Sequence, residues 1–444
     1  MHVQYDVVVV GGGTAGCVLA SRLSEEPSRT VCLVEAGPDY GPLADGRWPA
    51  DMLDGRWLAL DSHCWERDDE EDRSQLRARI LGGCSAHNAC VILRGAPSDY
   101  DEWGPGWTAD ELTPYLDRAE RQFATRMLDP ADMSPWHRAF ADVGGPATIV
   151  HSVNMTPDGV RWTAAFAYVD PARGRANLTI APDTLVDRVL LDGDRAVGVT
   201  TSNGDVHGTA VVVAAGAYGS PGVLLRSGIG PESGLPVGEN LLDHVGTAIG
   251  WEATDELRSE MDAFTKARPL AMAAVTIQVQ SSICPADVCD LFVFPAAEPG
   301  YELSAAAFAM KPRSRGRLTL TSADARAPLH IDHGFLSDDE DVRVLVEGFE
   351  RLRELGRTDP VRRYAAHESR PGEDVDAEPH VRATGRGFFH PTGTCAIGKV
   401  VDERGCVFGH ENLYVADASI MPTIPRANTN LTTAAIAERI AELL

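Results

Sequence analysis

The stretch Gly11-Gly12-Gly13-Thr14-Ala15-Gly16 constrains this chain more than any other. It follows the β-branched run Val7 to Val10 and precedes Cys17 to Leu23, where apolar residues recur at helical spacing. A G-x-G-x-x-G between strand and helix specifies a tight phosphate-binding turn. Gly11 permits the turn, Gly13 lets the backbone approach a pyrophosphate, and Gly16 lets helix and strand pack closely. Phosphates then rest against Thr14 and Ala15, at the positive end of the helix dipole. A second buried strand, Thr30 to Glu35, closes a βαβ unit. It delivers Glu35 and Ala36 about twenty residues on, where an acid accepts ribose hydroxyls. Strand, helix, spacing and acid agree on a dinucleotide site. The motif alone does not say which dinucleotide.

The remaining length implies more than this one unit. At 444 residues the chain exceeds the usual limit of a single hydrophobic core, so two substructures are expected. From Pro38 to Leu76 the periodic pattern dissolves into Gly, Pro, Trp and acidic residues, including the run Asp68 to Asp72. A lid fits there, with the acidic run as a solvated face. Helical spacing returns from Asp110 to Phe123, strands and turns fill Ala176 to Val213, and Pro221 reads as the first turn of a helix. Further strands are expected at Ala274 to Val279, Leu291 to Phe294 and Arg317 to Thr321. Helices are expected at Asp338 to Leu355 and Ala434 to Leu444. The resulting fold class is α/β. A parallel Rossmann-like sheet comes from residues near 1–40, 176–230 and 400–444, beside a second domain built on a mixed or antiparallel sheet.

Charge and composition exclude some functions. A net charge of −25 disfavours nucleic acid, whose phosphates require a cationic surface. No segment approaches the roughly 18 consecutive apolar residues of a membrane span, and the N-terminus lacks a secretory leader, so a cytoplasmic location is expected. The nine cysteines form no C-x-x-C and are odd in number. Neither a metal site nor a disulfide framework is expected.

Several longer segments carry a resemblance. Residues 77–88 read RARILGGCSAHN and residues 216–230 read GAYGSPGVLLRSGIG. With VGENLLDHVG at 237–246, HPTGTCAIG at 390–398, NLYVADASIMP at 412–422 and NTNLTTAAIAE at 428–438, they resemble the glucose–methanol–choline (GMC) oxidoreductase family. The resemblance implies FAD and three divisions of the chain. Residues 1–240 would form an FAD-binding domain with a lid and attachment loop at about 41–100. Residues 241–387 would form a substrate-binding domain, and residues 388–444 would return to the FAD-binding domain with the catalytic residues. It also implies oxidation of an alcohol by hydride transfer to flavin N5. The catalytic pair carries over onto His390 and Asn428. Cofactor contacts carry over onto Gly83, Ser85, His87, Asn88, Ala89, Val186, Asp417, Ala418, Asn428 and Thr429, beside the residues of the glycine motif.

The chemistry asks for such a pair. An alcohol carbon releases hydride readily only as its O–H proton leaves, and a histidine with an ordinary pKa near 6.5 suits that proton. Asn428 can donate an amide hydrogen bond to the developing alkoxide. The form GGCSAHN resembles the FAD-attachment motif of choline oxidase and its close relatives, which implies a covalent bond between His87 and the flavin 8α carbon; the competing reading is a histidine that only packs on the ring. Phe388, two residues before His390, is bulky where choline oxidase has a smaller residue. It favours an electron acceptor other than O2, although either stays open, as does a homodimer. Other readings are a hydroxynitrile-lyase-like flavoprotein without redox turnover, a non-catalytic flavin scaffold, and a plain NAD dehydrogenase.

Overall fold

The computed structural model describes residues 4–66, 75–298 and 300–444. The acidic run Asp68 to Asp72 lies wholly outside the described residues. Four consecutive valines suit a strand covered on both faces, and Val8 and Val9 are fully buried. Across this first sheet the order is Leu178–Ala181, Val31–Val34, Gln4–Val10, Gly204–Val213, Arg195–Thr201 and Val186–Asp192. Leu413–Val415 pairs with the far half of Gly204–Val213. The strands nearest the glycine motif run parallel, and the two outer strands Arg195–Thr201 and Val186–Asp192 are antiparallel to their neighbours.

Gly11 adopts φ +95°, and a Cβ at Gly16 would stand 1.8 Å from the Gly11 carbonyl oxygen. The helix Thr14–Leu23 can therefore leave the strand at this angle only without a side chain at 16. Gly16→Ala is expected to cost about 1–3 kcal/mol by overpacking and to lower the thermal midpoint. An unfolding curve matching the parent's would contradict this account of the turn.

The second sheet is antiparallel throughout, ordered Ala365–Arg370, Val245–Ala253, Leu303–Ala309, Leu291–Ala297, Val275–Val279 and Thr148–Val150. Arg386–Gly387 also pairs with Val245–Ala253. Its strands alternate. Leu303, Ala305, Ala307 and Ala309 are buried with Leu345 and Phe349 of the long helix Asp339–Gly356. Ser304, Ala306 and Phe308 point the other way, into a cavity. The hairpin Arg317–Leu320 and Leu329–Asp332 joins neither large sheet; Leu318 packs instead with Tyr218 and Leu241.

One helix start is corrected. Pro221 is not in the first turn: the helix runs Gly216–Arg226, with Pro221 inside it. A proline there cannot donate to the carbonyl four residues back. The Ala217 carbonyl instead accepts the Thr394 hydroxyl at 2.6 Å. The C-terminal helix begins earlier than its apolar stripe indicated, at Thr429. Among the described residues, no helix is long and apolar enough to cross a membrane.

Candidate active site

Both large sheets border a cavity of about 820 Å3. The glycine loop contributes Gly11, Gly13, Thr14 and Ala15, and the following strand contributes Glu35 and Ala36. Gly83, His87, Asn88 and Ala89 line it from the attachment loop, with Val186 from an outer strand. Asp417, Ala418, Asn428, Thr429 and His390 complete the wall from the last quarter of the chain. Two expected contacts lie behind that wall. Gly16 packs under Gly11. The Ser85 hydroxyl donates to the Gly82 carbonyl at 2.6 Å and accepts the Ala164 N–H at 2.9 Å, which shapes the loop from within.

The attachment loop docks directly on the glycine loop. The Gly82 N–H donates to the Gly12 carbonyl at 2.7 Å, and a Cβ at Gly83 would meet the Gly13 Cα at 2.6 Å. Glu35 accepts the N–H groups of Gly12 and Gly37, each at 2.7 Å. Burial raises its pKa to about 7 against those hydrogen bonds. A carboxylate has about four acceptor positions, so hydroxyl donors can still be received. Asp417 shapes its own loop: it accepts from Gly216 N–H at 2.8 Å, the Ser220 hydroxyl at 2.5 Å and Ser419 N–H at 2.8 Å. Asn430 was missed by the sequence reading. Its Oδ1 accepts the Thr14 hydroxyl at 2.7 Å, which leaves its Nδ2 buried without a partner at the cavity wall.

The expected catalytic pair does meet. Asn428 Nδ2 lies 3.4 Å from His390 Nε2. Behind His390 stands a second histidine, also missed. His244 Nδ1 is 2.9 Å from His390 Nδ1, and His244 Nε2 is 3.0 Å from the Pro425 carbonyl oxygen. A carbonyl only accepts, so the His244 proton sits on Nε2 and its Nδ1 carries a lone pair. His390 must then donate from Nδ1, which leaves Nε2 as its basic nitrogen beside Asn428. The packing thus selects the tautomer that a base requires.

Several contacts hold this chain of groups in place. Asp243 accepts the N–H of His390 at 2.9 Å and of Phe388 at 3.3 Å. That anchors a turn in which Phe389 takes φ +62°, an uncommon conformation for an aromatic residue. Pro425 is bracketed by charge: Lys311 Nζ donates to the Ile424 carbonyl at 2.9 Å, and buried Asp99 accepts the Arg426 N–H at 2.8 Å. Burial, then His244 and Arg77, hold the His390 pKa well below 6.5, so its resting state is neutral.

His87 is 3% exposed, and neither ring nitrogen has a hydrogen-bond partner. Burial lowers its pKa to about 4, helped by Arg161 and His63. Arg161 is itself fully buried and donates to the carbonyls of Met52, Asp54 and Trp57. Unpartnered polar atoms of His87, Asn428 and Asn430 therefore border one cavity, whose glycine turn has the form that receives a pyrophosphate. These residues fit a flavin dinucleotide.

Family models described as GMC oxidoreductase match residues 5–246 and 312–437. The chain is 33% identical to 5-(hydroxymethyl)furfural oxidase of Methylovorus sp. (strain MP688), covering 99% of this chain and 98% of that protein. It is 31% identical to an oxygen-dependent choline dehydrogenase of Burkholderia ambifaria (strain MC40-6), covering 99% and 93%. Among solved structures, pyridoxine 4-oxidase from Mesorbium loti superposes with a TM-score of 0.86 at 27% identity, covering 99% of both chains. The chain belongs to the GMC oxidoreductase family.

Proposed function

We propose that this GMC oxidoreductase uses FAD to oxidise an alcohol to a carbonyl compound, with His390 accepting the hydroxyl proton at Nε2. One observation carries the reading: an unprotonated imidazole nitrogen and an amide lie together on the wall of a cavity that also holds a dinucleotide turn. Bound FAD would supply the hydride acceptor, at N5. His390 Nε2 takes the proton as the C–H bond breaks, and Asn428 Nδ2 donates to the oxygen while negative charge builds there. His244 holds the His390 ring through its Nδ1–H, and Pro425 fixes His244 in turn. The lyase alternative gains nothing from the relatives, which are named as oxidases and a dehydrogenase.

Those names also favour O2 as acceptor, in place of the other carrier that a bulky Phe388 suggested. The Phe388 ring does not stand free; it is stacked on Phe308 at 3.7 Å. In air, one peroxide should form for each carbonyl produced. Carbonyl formation that needs an added dye and yields no peroxide would reject O2 as the acceptor.

His87 would hold the flavin through a bond from a ring nitrogen to the 8α carbon. The support is its neutral, unpartnered imidazole at the cavity wall. Glu35 would receive ribose hydroxyls, and the Thr14 helix terminus would face the pyrophosphate.

His244→Ala removes the group that orients His390 and is expected to slow flavin reduction by about 10–100-fold. Its pH profile separates this role from a folding defect. His244 helps depress the His390 pKa, so without it that pKa rises towards 6.5. The rate should then begin to fall at a higher pH than in the parent as the medium is acidified. A slower enzyme with an unmoved acid limb would contradict the positioning role.

A further inference from the structure

The carbonyl oxygen that fixes the tautomer of His390 belongs to the loop 423–428, which forms neither helix nor strand. Pro425 O accepts the Ala427 N–H at 2.7 Å as well as the His244 Nε2 proton at 3.0 Å, so both its lone pairs are used. Asn428 stands at the end of the same loop, as the cap of the helix Thr429–Leu443. Two distant parts of the chain grip this loop. Lys311 comes from the antiparallel sheet, just beyond the strand Leu303–Ala309. Its Nζ donates to the Ile424 carbonyl at 2.9 Å and to Thr423 Oγ1 at 3.2 Å, and it meets Glu102 and, at 3.2 Å, Asp99. His244 precedes Val245, which pairs with Ala309, so His244 and Lys311 reach the loop from neighbouring strand ends. Asp99 comes from the short helix Pro97–Asp101 and is fully buried. It accepts the Ala96 N–H at 3.0 Å and the Arg426 N–H at 2.8 Å, and it pairs with the Arg426 guanidinium. Gly95 lies against the loop itself: a Cβ there would stand 2.9 Å from Pro425 Cβ.

We infer that Lys311 and Asp99 are positioning residues for alcohol oxidation: by clamping the loop 423–428 they hold the Pro425 carbonyl on His244 and Asn428 beside His390. The inference rests on the alcohol-oxidation reading above and adds residues that act through His244. Loosening the clamp has a specific consequence. Without Pro425 O at its Nε2, His244 can carry its proton on Nδ1 and donate it to His390 Nδ1. His390 then carries its own proton on Nε2, and the base becomes a donor. Buried ion pairs often add little net stability, because desolvation offsets their attraction. What this cluster adds is direction, since one carboxylate and one ammonium fix the backbone on both sides of Pro425.

The test compares the FAD-loaded parent with Lys311→Met and Lys311→Arg. Lys311→Met spares the fold, because Asp99 keeps Arg426 and Glu102 is partly exposed. Nitrogen NMR of protein labelled with 15N-histidine, assigned with His244→Gln and His390→Gln, reads which ring nitrogen of His390 carries the proton. The parent should show a bare Nε2. Lys311→Met should show a second His390 signal with the proton on Nε2, and Lys311→Arg should return towards the parent. Asp99→Asn keeps an acceptor for the Ala96 and Arg426 N–H groups while removing the charge, and should act in the same direction as Lys311→Met. Oxygen-free rapid mixing with benzyl alcohol or 1-butanol then follows flavin bleaching. In Lys311→Met the limiting rate should fall roughly ten-fold, with the half-saturating alcohol concentration within about three-fold of the parent's. A bare Nε2 and a parental rate in Lys311→Met would overturn the inference. A slower variant with an unchanged tautomer would overturn it too, since that is general loosening. If neither alcohol bleaches the parent's flavin while the tautomer shifts as expected, the clamp is upheld and the oxidation reading is what fails.

Discussion

His390→Ala should reduce its flavin about 10²–10⁴-fold more slowly than the parent at saturating alcohol. The loss should appear in kcat more than in KM, because the imidazole acts on a proton that moves only as the C–H bond breaks. FAD should still load, since the glycine turn, Glu35, Asn430 and His87 are untouched. The pH dependence of the parent sharpens the expectation. Burial, His244 and Arg77 all disfavour the charged imidazolium, so the base stays neutral from pH 7 down past 6.5. The rate should hold across that interval and fall only at more acid pH, as His390 takes up a proton through its lowered pKa. Undiminished flavin reduction in His390→Ala, with the colour of bound FAD intact, would remove the base from the mechanism.

His87→Ala should convert a flavin that survives denaturation into one that is wholly released. Acid precipitation of the parent should leave the yellow colour in the pellet; the same treatment of the variant should leave it in the supernatant. The change is expected to be close to all-or-none, because a covalent bond persists after every packing contact has been lost. The variant should still fold. His87 makes no side-chain hydrogen bond whose loss would strand a partner, and the cavity beside it accepts the missing volume. If the parent itself releases all its flavin into acid, His87 is only a packing residue and the proposed bond does not exist.

The parts of this molecule that follow from local sequence were legible. Val7 to Val10 and Gly11 to Gly16 specify a buried strand and a turn whose geometry depends on a few adjacent residues. Alternation in Leu303–Ala309, by contrast, is almost invisible in a run of alanines, although it decides which side chains face the cavity. Thr148–Val150 owes its strand state to a partner more than a hundred residues away, so no local pattern marks it. Pro221 was misplaced because its unmade hydrogen bond is replaced by Thr394, a compensation that only tertiary structure provides. The same holds within the site. His390 and Asn428 stood in recognisable segments, as did His244 in VGENLLDHVG and Asn430 in NTN. What the segments could not convey was the direction of donation from His390 Nδ1 to His244 Nδ1 and on to Pro425. That direction, rather than the presence of a histidine, is what leaves Nε2 free to act.

The central claim can be tested by one rapid-mixing measurement. Oxygen-free enzyme loaded with FAD is mixed with a primary alcohol that it oxidises, then with the same compound carrying deuterium at the hydroxyl-bearing carbon, and the flavin absorbance is followed. If hydride leaves carbon while His390 takes the proton, the colour bleaches fully in a single turnover and more slowly with the deuterated alcohol. A flavin that stays oxidised with every alcohol tried, although bound in the cavity, would contradict the account.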